Sequence, residues 1–154
     1  MALARRLLDH PDLVRGRRVL DLGTGGGLVA IAAALAGARA VDAVDIDPLA
    51  LVAVELNAEA NGAAVSPRLG DSAGREAPDV DLVCAGDVFY APEAATASIA
   101  ILERCRDAGA TVLIGDPWRV DLPAGRLRVI ERYAVRDFGD GTQLTEAAVF
   151  TLDG

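Results

Sequence analysis

The chain contains no lysine, one histidine and two cysteines among its 154 residues. The absence of lysine excludes a Schiff-base nucleophile and the P-loop lysine that holds a phosphate. His10, Cys84 and Cys105 are too few and too scattered to build a Cys/His zinc site. His10 also stands beside Pro11, far from any Gly-x-Ser-x-Gly elbow, which argues against a Ser-His-Asp triad. The chemistry is therefore expected to come from backbone groups, carboxylates and a bound cofactor.

Composition and charge indicate what kind of protein this is and what kind of partner it binds. The length suits one domain over residues 1–154, and 52% hydrophobic residues supply a full core. The longest apolar run, residues 28–36, is about half of the ~20 residues that span a bilayer. A net charge of −8 disfavours nucleic acid as a partner and favours a basic protein surface. Two unclustered cysteines predict a reducing, cytoplasmic location.

The order of apolar segments predicts an α/β fold. Between about residues 17 and 117, strand-like runs alternate with helical patterns, which is typical of a parallel sheet with crossover helices. Predicted strands cover 19–22, 40–46, 65–69, 81–86 and 111–115, and predicted helices cover 28–38, 48–60 and 92–106. Residues 72–79 read as a loop. Residues 126–138 and 143–152 predict two further strands, joined through Asp140-Gly141 as an antiparallel hairpin.

A glycine-rich segment joins the first strand to the first crossover helix. It reads Asp21-Leu22-Gly23-Thr24-Gly25-Gly26-Gly27, and is called the glycine loop below. Glycines allow a tight turn and a close approach of the backbone to a ligand at a helix N-terminus. A dinucleotide fingerprint would need glycine where Leu28 stands, so the pattern is acidic-x-Gly-x-Gly-x-Gly instead. A purely structural turn remains the alternative.

An acidic pair, Asp45 and Asp47, stands at the end of the second predicted strand. Asp45 comes eighteen residues after Gly27, where a carboxylate can accept hydrogen bonds from the ribose hydroxyls of a nucleoside cofactor. The alternative is that Asp45 and Asp47 both cap the next helix. We assign the cap to Asp47, beside Pro48, and the ribose to Asp45.

The segment after the fourth predicted strand carries the most specific resemblance. The glycine loop matches the first motif of class I S-adenosylmethionine-dependent methyltransferases, and Asp87-Val88-Phe89-Tyr90 resembles the Asp-x-x-Tyr motif of the seven-β-strand lysine methyltransferases. Together with the preceding Gly86, it is similar to the branch that methylates the β-subunit of electron transfer flavoprotein. Residues 7–16, 45–48 and 112–117 also match this branch. Ribosomal protein L11 methyltransferases look similar as far as residue 48, but typically carry an Asn-Pro-Pro-Tyr-like fourth strand.

The resemblance implies a Rossmann-like class I methyltransferase sheet that binds S-adenosylmethionine and methylates a protein lysine. The cofactor-binding residues implied are Asp21, Gly23, Thr24, Gly25, Gly27, Asp45, Ile46 and, as an adenine contact, Asp71. Asp87 would orient the incoming ammonium and accept its proton, and Tyr90 would pack along the lysine stem. The alternative is that Asp87 caps a turn and Phe89-Tyr90 belongs to the core. Asp116 and Trp118 either edge the site or serve packing and turn formation.

The resemblance also has a gap, and other functions stay open. Members of the branch normally carry a tryptophan-containing segment before the first helix that helps cover the cofactor, and we expect a domain without this lid. Alternatives are a methyltransferase acting on ribosomal protein L11, on a protein N-terminus or on a small molecule, or a non-catalytic interaction module with the same fold.

Overall fold

A seven-stranded sheet organises the molecule. The computed structural model describes residues 1–70, 79–136 and 144–152. The strands are β1 (Arg18–Leu22), β2 (Ala40–Asp45), β3 (Ser66–Leu69), β4 (Leu82–Gly86), β5 (Thr111–Asp116), β6 (Leu127–Arg136) and β7 (Leu144–Leu152). Their spatial order is β3-β2-β1-β4-β5-β7-β6.

Pairing directions follow the pattern expected from the sequence. The first five strands pair in parallel, and β7 runs antiparallel to both β5 and β6. The central strands β1 and β4 are buried on both faces, which explains their nearly continuous apolar sequences. The predicted α/β class, with a mostly parallel sheet and an antiparallel C-terminal pair, is confirmed. The turn predicted at residues 138–141 lies outside the described residues.

Helices cover both faces of the sheet. They are α1 (Ala2–Asp9), α2 (Leu28–Leu35), α3 (Pro48–Ala60) and α4 (Pro92–Asp107), with short 3-10 turns at Pro11–Leu13 and Ala124–Arg126. Helices α1, α2 and α3 share one core with alternate strand residues, and α4 packs on the opposite core. Along α4, Ala95, Ile99, Leu102 and Cys105 are buried and lie on one stripe. Within the described ranges, no helix has the length and apolar character needed to cross a bilayer.

Helix α3 forms where expected, and only a narrow face of it is buried. Its helical-spaced residues Leu49, Val52 and Leu56 are 74%, 52% and 63% exposed, while Val54 and Ala58 are buried. Val54 packs against the glycine loop, where a Cβ added to Gly27 would lie 3.1 Å from its Cγ2. Close contact with the loop therefore sets the rotation of α3 about its axis. The hydrophobicity of its side chains alone does not indicate this rotation.

Two glycines let α1 approach the strands that end near the site. Gly86 and Gly115 are register partners on β4 and β5. An added Cβ would lie 2.7 Å from Met1 Cε at Gly86 and 2.6 Å from Leu3 Cβ at Gly115. At Gly115 the contact is with Leu3 of α1 itself, so a larger residue would displace the helix, whereas at Gly86 the contact is with the flexible end of the Met1 side chain, which could move aside.

Candidate active site

A pocket of about 590 Å³ opens at the carboxyl ends of the parallel strands. Ligands of open α/β sheets bind in this place, where the strand order reverses, and here the order reverses between β1 and β4. The loop after β1, the end of β2, the segment after β4 and the first half of α4 form its walls. The lining includes Gly23, Gly25, Asp45, Ile46, Gly70, Asp87, Tyr90, Glu93, Ala94 and Ala97.

The glycine loop adopts a backbone that only glycine adopts readily. Gly23, Gly25 and Gly27 have φ values of +63°, +53° and +83°, in the left-handed region that other residues rarely enter. Gly23 and Gly25 line the pocket, while Gly27 is buried against Val54 at the start of α2. Gly23 and Gly25 therefore expose the loop backbone to a ligand, and Gly27 packs the loop onto α3.

Asp21 and Thr24 lie behind the loop and hold its shape. The Thr24 hydroxyl donates to Asp21 Oδ2 at 2.6 Å, and the Ala30 amide donates to the same oxygen at 3.0 Å. Burial raises the pKa of Asp21 to about 7, against the opposing effect of these two hydrogen bonds. The Thr24 amide also donates to the Val44 carbonyl. Both side chains are buried away from the pocket surface, so they position the loop.

Asp47 caps α3 as the sequence predicted, while Asp45 accepts two backbone amides at the pocket edge. Asp47 is the N-cap of α3 and accepts the Leu49 amide at 2.9 Å. Asp45 lines the pocket and accepts the Gly25 amide at 2.8 Å and the Asp47 amide at 3.0 Å, one on each oxygen. A carboxylate has about four acceptor positions, so Asp45 retains capacity for two further donors. Ile46 is exposed at the pocket wall.

Asn57 and the small residues of α4 were not identified from the sequence. The Asn57 side-chain amide donates to the Gly26 carbonyl at 2.8 Å, which ties α3 to the glycine loop. Ala91, Ala94, Ala97 and Ser98 form the α4 wall of the pocket. Their spacing along one helical face could have indicated a close approach, because small side chains keep that face open.

The segment after β4 places two predicted residues at the pocket and buries a third. Asp87 has a φ of +62°, and its amide donates to the Gly115 carbonyl at 2.8 Å. Tyr90 is 62% exposed and, like Asp87, lines the pocket, while Phe89 is fully buried. The core alternative is therefore right for Phe89 and wrong for Tyr90. Asp71, the proposed adenine contact, lies outside the described residues.

Arg119, another residue that the sequence did not reveal, binds the Asp87 carboxylate. Its Nε donates to Asp87 Oδ1, and its Nη2 donates to Asp87 Oδ2 at 2.7 Å. The pair is half-exposed, with 41% of the Arg119 and 36% of the Asp87 side chain accessible. Two parallel bonds of this kind fix the plane of the carboxylate.

Asp116 and Trp118 support Arg119 and do not line the pocket. Asp116 is buried and accepts the Arg119 amide at 2.7 Å, and its burial raises its pKa. Trp118 has a φ of +65° and packs edge-on against Phe150, with Arg132 4.8 Å above its ring. These residues fix the backbone from which the Arg119 side chain extends.

Strand order, the glycine loop and the carboxylate at the end of β2 together define the class I S-adenosylmethionine-dependent methyltransferase fold. A solved structure of ribosomal protein L11 methylase from Lactobacillus delbrueckii subsp. bulgaricus superposes with a TM-score of 0.67 at 20% identity, over 99% of this chain and 77% of that one. The chain belongs to the ribosomal protein L11 methyltransferase (PrmA) family, whose model matches residues 3–86.

Similar curated proteins carry a second name. The electron transfer flavoprotein β-subunit lysine methyltransferase of Homo sapiens is 47% identical over 77% of this chain and 46% of its own length. The protein of the same name from Xenopus laevis is 41% identical over 99% of this chain and 65% of its own length. The chain thus spans about half to two thirds of these relatives.

Proposed function

We propose that the chain binds S-adenosylmethionine and methylates a lysine of a protein substrate, the β-subunit of electron transfer flavoprotein. One observation carries the substrate choice, which is the share of the chain that each kind of relative matches. The Xenopus laevis relative named for the flavoprotein subunit matches over 99% of the chain, whereas the ribosomal protein L11 methyltransferase of Methylococcus capsulatus matches over 74% of it, at 40% identity.

The residues of the pocket fit a nucleoside cofactor. Gly25 presents open backbone, since a Cβ there would meet no atom within 4 Å, and Gly23 lines the same pocket. Asp45 offers two acceptor positions, which is the number that the two ribose hydroxyls need. Asp21, Thr24 and Gly27 would act by shaping the loop, and Ile46 would contact the cofactor from the end of β2. Asp71 remains our candidate for the adenine contact. When bound, S-adenosylmethionine supplies an electrophilic methyl group on a sulfonium sulfur.

Asp87 and Tyr90 would serve the acceptor amine. Methyl transfer needs a neutral amine lone pair that lies in line with the methyl group, and positioning supplies most of the rate. Asp87 would attract the lysine ammonium by a charge-assisted hydrogen bond and pass its proton to solvent. Tyr90, exposed at the pocket rim, would pack along the aliphatic stem of the lysine.

Ribosomal protein L11 is the second candidate acceptor, supported by the family-model match over residues 3–86. That part of the chain contains the glycine loop and Asp45, so it bears on cofactor binding more directly than on the acceptor.

The absence of metal chemistry also remains an expectation: no group of three or more His, Cys, Asp or Glu side chains among the described residues is arranged to hold a metal ion. A cytoplasmic location likewise remains a proposal, supported by the free, buried thiols of Cys84 and Cys105.

Methyl transfer to the two proteins in parallel tests the proposal. Purified chain is incubated with tritiated S-adenosylmethionine and either the electron transfer flavoprotein β-subunit or L11, and labelled residues are located by mass spectrometry. We expect lysine methylation of the β-subunit that is lost in Asp87→Asn. Asp107→Asn, which removes an exposed carboxylate paired with Arg106 at the end of α4, is the matched control. Labelling of L11 alone favours the second candidate, and cofactor binding without any transfer favours an interaction module.

A further inference from the structure

The contact between Arg119 and Asp87 raises the question of how a substrate cation reaches this carboxylate. Both Asp87 oxygens accept hydrogen bonds from one guanidinium. Asp87 lines the pocket and Arg119 does not, so the guanidinium approaches the carboxylate from outside the cofactor pocket. A lysine side chain from another protein would have to approach from the same outer side.

We propose that the Arg119 guanidinium occupies the acceptor subsite, where it stands in for the substrate ammonium on Asp87. This inference rests on the proposed lysine methyltransferase function and deepens it, because it identifies the subsite and the group that the substrate displaces. Guanidinium and ammonium are both cations that donate several hydrogen bonds to a carboxylate.

The Arg119 guanidinium is suited to the acceptor subsite because it does not accept a methyl group. An arginine side chain stays protonated in proteins, and its contact with Asp87 raises the pKa of Arg119 further. Its nitrogens therefore offer no free lone pair to a sulfonium methyl group. A lysine at the same position could lose its proton and become a nucleophile. The chain has no lysine at all, so no side-chain amine of its own competes for the subsite.

Displacement of the guanidinium needs little free energy. Both members of the pair are more than a third exposed, and ion pairs this exposed to water contribute little to stability. The backbone of Arg119 is held by Asp116, while the guanidinium itself is bound in the described structure through Asp87. The side chain can swing outwards without disturbing the buried carboxylate beneath its amide, and a substrate ammonium can then bind Asp87.

Self-methylation of a single variant tests the subsite without an external substrate. Arg119→Lys is incubated with S-adenosylmethionine, and methylated residues are located by peptide mass spectrometry. The amine loses a proton to Asp87 or water, its lone pair forms the N–C bond as the C–S bond breaks, and S-adenosylhomocysteine leaves as a neutral thioether. We expect methyl groups at residue 119, and their loss when Asp87→Asn is added. Arg126→Lys, at an exposed arginine paired with Glu103, should stay unmodified.

Arg119→Ala supplies a second measurement. Without the resident cation, the KM for the protein substrate should fall about two- to fivefold, which corresponds to one exposed ion pair. Arg126→Ala is the control and should leave the KM unchanged. A KM for Arg119→Ala that is unchanged or raised overturns the inference.

The outcomes separate this inference from the proposed function. Modification at residue 119 without methylation of the flavoprotein subunit supports the subsite and refutes that substrate. Methylation of the subunit by the natural chain, with no modification of Arg119→Lys, overturns the subsite and keeps the function. If neither acceptor is methylated, both proposals fall.

Discussion

The side-chain amide of Asn57 donates to the Gly26 carbonyl and joins the middle of α3 to the glycine loop. Asn57→Ala removes this bond and leaves the loop carbonyl without its partner. We expect a three- to tenfold loss of affinity for S-adenosylhomocysteine in calorimetry, because one hydrogen bond contributes about 0.5–1.5 kcal/mol. Asn61→Ala, which removes a bond to the Asn57 carbonyl at the end of the same helix, is the control. Equal affinities for both variants would show that the loop does not depend on Asn57.

Asp45 and Asp47 can be distinguished by measuring affinity and stability separately. Asp45→Ala should lower affinity for S-adenosylhomocysteine at least tenfold, because the proposed ribose acceptor is lost. Asp47→Ala removes the N-cap of α3 and should lower the free energy of unfolding by ~1 kcal/mol, with little change in affinity. Calorimetry and urea denaturation measure the two effects. Full affinity in Asp45→Ala would refute the ribose assignment.

Gly25 and Gly27 should respond differently to alanine. Both have positive φ values, so alanine costs about 1–2 kcal/mol of backbone strain at either position. At Gly27 the new Cβ would also press on Val54 at 3.1 Å, whereas at Gly25 it would meet nothing within 4 Å. We therefore expect Gly27→Ala to unfold at a lower urea concentration than Gly25→Ala. Gly25→Ala should instead show the larger loss of cofactor affinity, since its Cβ enters the pocket.

The buried carboxyl of Asp21 predicts a pH dependence of stability. Its pKa is raised to about 7 in the folded state from 3.8, so the folded protein binds this proton more tightly than the unfolded chain. Its contribution to stability is present below pH 4 and is lost as the pH rises towards 7 and beyond. Asp21→Asn cannot ionise and should lose less stability over this range.

Thermal unfolding at pH 5 and pH 8 measures the difference. Between pH 5 and pH 8, the Tm of the natural chain should fall by on the order of 5 °C more than the Tm of Asp21→Asn. Thr24→Val, which removes the hydroxyl bonded to Asp21, leaves an ionisable group behind and should not flatten the profile. Parallel profiles for Asp21→Asn and the natural chain would contradict the assignment.

Local patterns predicted the glycine loop and the cap at Asp47 because each depends on residues close together in the chain. The mostly parallel sheet followed from the alternation of strands and helices. The Asp87–Arg119 pair and the Asn57–Gly26 bond join residues 32 and 31 positions apart. Such contacts form only when the sheet brings separate strand ends together, and no periodicity in the sequence encodes them.

The face of α3 that is buried also depends on a contact between residues that are distant in the sequence. Leu49, Val52 and Leu56 have helical spacing, but Val54 and Ala58 are the residues of α3 that are buried. Gly27 has no side chain, so Val54 can pack against its backbone. A rule that assigns large apolar residues to the core does not take into account the space that a glycine leaves for a neighbouring side chain.

The seat of α1 on Gly86 and Gly115 has a practical consequence for handling the protein. Met1 touches the strand position directly before Asp87, and Leu3 touches the one before Asp116. Residues fused to the amino group of Met1, such as a purification tag, would begin two residues before Leu3, whose backbone nitrogen lies 3.3 Å from a Cβ added at Gly115, close to the strand ends that carry the proposed acceptor side of the site. The last described residues belong to β7, which is separated from β4 by β5. A tag at the carboxyl terminus is accordingly the safer choice for every binding and transfer assay described above.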